Sequence, residues 1–64
     1  MYEVIYTTLE GQDHILPYDD LNKARTAFDD IKDGIMEGVP EVDTVGCYYV
    51  DGDGAEKELM VWAR

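Results

Sequence analysis

Apolar residues recur along this chain with two different periods. Residues 2–9, YEVIYTTL, are rich in β-branched and aromatic types and read as a strand. HILP at 14–17 reads as a short second strand, set off from the first by the turn EGQD at 10–13. Pro17 lacks a backbone donor and belongs at a strand end or on a sheet edge. From about residue 20 the period changes. Leu21, Ala24, Phe28, Ile31 and Ile35 recur at alternating three- and four-residue steps, which lines one side of an α-helix. Asp19 or Asp20 stands where an N-cap is needed, with its charge at the positive end of the helix dipole. Gly34 weakens the helix interior, and Gly38 followed by Val39-Pro40 stops it. The spacing predicts a helix over about 20–37, fraying after Asp33, and strand-like runs return at about 43–50 and 56–63.

The predicted order is ββαββ in a single small α+β domain spanning residues 1–64. An antiparallel sheet with one helix packed on one face is the economical way to bury these stripes. The order occurs in many unrelated small domains and says little about function.

The segment YYVDGDGAEKELMVW, residues 48–62, carries two Asp-Gly pairs that could be a calcium loop or a hairpin turn. An EF-hand loop needs oxygen ligands along its first half and a bidentate acid at its end. Placing Gly54 at the loop's central glycine puts Tyr49 first and Met60 last, and neither is a hard-cation ligand. Starting at Asp51 puts Trp62 last. The hairpin reading fares better, with Gly52-Asp53-Gly54 as a three-residue loop and Gly54 left-handed. Val50 then faces Glu56, Tyr49 faces Lys57, Cys47 faces Leu59 and Val45 faces Val61. A two-residue turn would shift every pair by one and mix core with charge. The preferred register leaves Tyr48, Val50, Met60 and Trp62 on the face away from the helix, together with Glu56 and Glu58. Aromatic and Met side chains bordered by charge have the composition of an interface.

Charge sharpens that picture. Fifteen acidic residues face five basic ones, a formal net of −10. Direct binding to DNA, RNA or an anionic membrane is not expected, because each needs Lys and Arg to neutralise phosphates. A basic partner is the natural complement. On the predicted helix Asp29, Asp33 and Glu37 follow one another at four-residue steps, near the negative end of the dipole where acids are disfavoured. An acid stripe kept where it is locally unfavourable points to use by a partner, since spaced carboxylates can imitate spaced phosphates.

Catalytic chemistry finds no footing. Cys47 is the only cysteine and lies inside a predicted core strand; His14, the only histidine, belongs to a different strand. One Cys and one His far apart exclude a zinc site, no glycine-rich phosphate loop precedes the helix, and no cofactor or metal is implied. An enzyme is not expected. A lone cysteine allows no internal disulfide, the start MYEVIYTTLE has no signal-peptide pattern, and no apolar run reaches the roughly 18 residues of a membrane helix. The expected location is the cytoplasm, the host's if the chain is phage-encoded.

In size, acidic bias and lack of catalytic groups the chain resembles the nucleic-acid mimics of phages and mobile elements, anti-CRISPR proteins among them, although no motif carries the likeness. The expected function is that of an inhibitor or adaptor docking on a basic, nucleic-acid-binding surface of a larger protein. Asp29, Asp30, Asp33 and Glu37 would supply charge from the helix. Asp51, Asp53, Glu56 and Glu58 would supply it from the second hairpin, with Tyr48 and Trp62 as anchors. Two alternatives are a homodimer that self-associates through the aromatic sheet face, and a small-ligand or cation-binding module at the DGDG loop.

Overall fold

A computed structural model describes residues 1–64. Strands β1 (Tyr2–Thr8) and β2 (Asp13–Tyr18) form a hairpin, helix α1 (Leu21–Lys32) crosses the sheet, and β3 (Val42–Val50) and β4 (Glu56–Ala63) form a second hairpin. The sheet is four-stranded and antiparallel throughout, in the order β2-β1-β3-β4. The α+β architecture expected from the two periods is what the chain adopts.

Both hairpins close in the same way. In the first, Thr8 N–H donates to Gln12 O (2.9 Å) and Gly11 N–H donates to Thr8 O (2.9 Å). In the second, Asp51 N–H donates to Ala55 O (3.0 Å) and Gly54 N–H donates to Asp51 O (3.1 Å). Each loop is three residues long and ends on a left-handed glycine, Gly11 at φ 89° and Gly54 at φ 84°. A side-chain oxygen reinforces each closure. Thr8 Oγ1 accepts from Gln12 N–H (3.1 Å), and Asp51 Oδ1 accepts from Ala55 N–H (3.0 Å) and Asp53 N–H (2.8 Å).

The helix starts where the acids predict and stops sooner. Asp20 is the N-cap, its carboxylate accepting from Asn22 N–H (2.7 Å) and Lys23 N–H (3.3 Å). At the other end Gly34 N–H donates to Ile31 O (3.2 Å) and Ile35 N–H donates to Asp30 O (2.9 Å), with Gly34 at φ 75°. This is a Schellman closure, and it ends the helix at Lys32 with Asp33 as C-cap. The expected extension to residue 37 is therefore wrong, because Gly34 is the stop signal and not a weak interior position. Ile35 consequently leaves the apolar stripe and is 70 % exposed.

Ala24, Ala27, Phe28 and Ile31 press against Val4 and Tyr6 of β1 and Val42, Val45 and Cys47 of β3. The helix lies chiefly across β3 and β1 and reaches β2, so β4 sits beyond most of its cover.

The second hairpin departs from the expected register partway along. Near its turn the pairing is the expected one, Val50 with Glu56 and Tyr49 with Lys57. A bulge then intervenes: Tyr48 pairs with Glu58 and Cys47 with Met60, leaving Leu59 as the extra residue. Beyond it Gly46 pairs with Val61 and Val45 with Trp62, not Val45 with Val61. One inserted residue exchanges the faces of everything after it. Met60 and Trp62 turn to the helix side, where they pack half-buried against the core.

Candidate protein-binding surface

The sheet face turned away from the helix is built by alternation. Val4, Tyr6 and Thr8 of β1 are buried, so Glu3, Ile5 and Thr7 point the other way. Register extends each of them into a row across all four strands. The middle row is Ile15, Ile5, Gly46 and Val61; the row on one side is Pro17, Glu3, Tyr48 and Glu58. The third row, Asp13, Thr7, Thr44 and Ala63, is mostly polar, with Thr7 Oγ1 donating to Asp13 Oδ1 at 2.6 Å. Ile15 is 56 % exposed and Val61 is 52 % exposed.

Tyr48 gives this face its relief. A Cβ built on Gly46 would lie 2.6 Å from the Tyr48 hydroxyl and 2.8 Å from its Cε1, so the outer end of the ring lies over the glycine. Burial, and then the Glu58 and Glu56 carboxylates beside it, push the Tyr48 phenol above the ordinary tyrosine value.

The sequence-predicted residues therefore do not form one surface. Tyr48, Glu56 and Glu58 share the open face, whereas Trp62 sits on the opposite side of the sheet and cannot act beside Tyr48 as a second anchor. Asp29, Asp30 and Asp33 lie at the C-terminal end of α1, and Glu37 lies in the loop after it. The three-acid stripe is broken, since Asp33 caps the helix and Glu37 is beyond it. Asp51 and Asp53 lie in the β3–β4 turn, at the far end of β3 from Glu37. The nine residues of β3 separate the two acid groups by roughly 26 Å. All these acids are exposed except Asp30, which is half-buried. The Asp51 carboxylate is engaged by two N–H groups of its own turn, so its first role there is structural.

Sequence reasoning missed Ile5, Ile15, Gly46 and Val61. The available signal was Gly46 itself, a glycine inside a strand pattern, which marks a bulge or a close approach by a neighbour.

On the helix side an open groove of about 390 Å³ is lined by Tyr18, Asn22, Lys23, Thr26, Asp30 and Met36. Burial pushes the Tyr18 phenol upward. The Cys47 thiol, under the helix, is likewise raised by burial, partly offset by Arg25.

Five basic residues are too few to answer the acids, and they are placed elsewhere. Lys23 pairs with Asp19 (3.6 Å) and Arg64 pairs with Glu41. Arg25 and Lys32 are on the helix, and Lys57 stands opposite Tyr49, which packs edge-on to Tyr2 on the helix side. The open face carries no Lys or Arg side chain. No helix is long and apolar enough to cross a membrane. Fold and surface together define a small, strongly acidic α+β domain with one uncovered sheet face. No family model, curated protein or solved structure matches the chain.

Proposed function

We propose that this chain is a protein-binding domain, not a catalyst, that occupies a basic, nucleic-acid-binding surface of a larger protein as an inhibitor or adaptor. The observation that supports this reading is the state of the carboxylates: of fifteen, only Asp19 and Glu41 have a cation within salt-bridge distance. The rest project from a molecule of 4215 Å² surface and −10 net charge. A field of that density draws in a Lys/Arg groove and competes there with phosphates. The two acid groups, at opposite ends of β3, would act as separated charges along such a groove. The inhibitor form of the reading is the role of the phage-type nucleic-acid mimics that the chain resembles in size and charge.

The test is retention of basic nucleic-acid-binding proteins on the immobilised chain. Binding is expected at about 0.05 M salt, lost by about 0.5 M, and competed by duplex DNA or RNA. If no such protein is held at low salt, the reading fails.

A second reading draws on the exposure of Ile15 and Val61: self-association through the open sheet face. Light scattering separates the two, because this reading requires a particle of twice 7.3 kDa that persists at high salt.

A further inference from the structure

The uncovered sheet face combines an apolar row with a border of acids, and that combination selects an occupant. Ile15, Ile5 and Val61 form the row, with the Tyr48 ring laid over the gap at Gly46. Glu3 and Glu58 flank Tyr48 on its two neighbouring strands, and Glu56 follows one row further. Sheets in stable domains are covered on their apolar faces, and here α1 covers only one of the two. We propose that this face is a docking site for an amphipathic basic helix of a partner protein, which would add the second helical layer. The proposal rests on the reading above and narrows it to one surface and one kind of segment.

Size and charge argue for that occupant. Three interstrand gaps make the row about 14 Å long, which an α-helix spans in about three turns. The face is only four strands wide, which suits one segment more than a broad domain surface. Apolar side chains of the helix would meet the row, and its Lys or Arg would reach Glu3, Glu56 and Glu58. A second copy of this chain is the poorer occupant. It would bring the same carboxylates onto this face and no Lys or Arg to meet them, since all five basic residues are on the helix side or tied to Glu41.

The probe is a synthetic helical peptide with Leu on one face and Lys/Arg on the other, with a scrambled peptide of equal composition as control. Each is titrated into the ¹⁵N-labelled full chain at low salt. The amphipathic peptide is expected to shift the amides of Ile5, Ile15, Gly46, Tyr48 and Val61, and to bind at least about tenfold tighter than the control. V61K and I15K, both at exposed positions, should each weaken it at least about tenfold with the circular dichroism unchanged. Equal binding of the two peptides, with shifts at Asp29–Asp43, would overturn the docking face and leave the basic-partner reading standing. Binding by neither peptide would overturn both. Shifts on this face that depend on protein concentration alone would make a second copy the occupant and overturn the basic helix.

Discussion

Tyr48 owes its position to a side chain that is missing beneath it. Gly46 leaves room for the ring, and the ring in turn buries a glycine that would otherwise expose backbone in mid-sheet. G46A should therefore lift the ring off the sheet at a cost of about 1–2 kcal/mol. Most of that cost should vanish in a Tyr48→Ala background, a coupling that a double-mutant cycle in urea reads directly. The same ring should report on its acidic neighbours. The folded-state pKa of Tyr48 is raised by burial and by Glu58 and Glu56, and that of Tyr18 by burial. Raised acids of this kind hold their stabilising contribution below the unfolded value of about 10 and lose it as pH climbs through the folded value. Stability should thus decline on the alkaline side, and Glu58→Gln should lower the Tyr48 phenolate midpoint. An unmoved midpoint would mean that the carboxylate is not beside the ring. Asp51 is the other residue whose role changes with the structure. Asp51→Ala removes the acceptor for two turn N–H groups and should cost about 1 kcal/mol, whereas Asp53→Ala should stay within about 0.5 kcal/mol.

At the scale of elements, Gly34 offers a test by sign. A glycine inside a helix is improved by alanine, whereas a left-handed glycine closing a Schellman motif is harmed by it. Gly34 is at φ 75° and carries that closure, so Gly34→Ala should destabilise by about 1 kcal/mol in urea melts. A gain in stability would return the helix to the longer span that the apolar spacing suggests. That spacing shows how far the sequence could be read. The helix core, Ala24, Phe28 and Ile31, was legible because three turns of periodicity rest on local geometry alone. Ile35 fell into step with it by chance, and only the hydrogen bonds at Gly34 separate the two cases. The turn of the second hairpin was legible for a similar reason, since Gly54 and the facing pairs near it are set within a few residues. The far half was not. A bulge at Leu59 lies several residues beyond the turn, and Gly46 on the facing strand marks an irregularity without saying which residue is the extra one. Its consequence reaches the candidate site, because it moves Trp62 to the helix side and brings Val61 onto the open face.

For the whole molecule, the charge that would serve binding works against folding, and this opposition can be measured. The domain extends 31 × 21 × 17 Å, so at about 0.01 M salt, where the screening length is ~30 Å, its carboxylates repel one another across the entire structure. Raising salt to about 1 M shortens that length to ~3 Å and should stabilise the fold by about 1 kcal/mol, read as a rise of several degrees in Tm. The same salt should weaken a basic partner by at least about tenfold, because each counterion released on binding then enters a more concentrated solution and gains less entropy. The helix end refines the contrast. Asp29 and Asp33 lie at the negative end of the α1 dipole, with Lys32 as the only basic residue of the last turn. Reversing both acids to Lys should raise stability by about 0.3–1 kcal/mol each while lowering affinity for the basic partner. Opposite movement of the two quantities identifies these acids as held for binding at the expense of the fold. If stability and affinity fell together, the lost binding would be a by-product of a damaged helix end, and the carboxylates of the open sheet face would be left to carry the interaction.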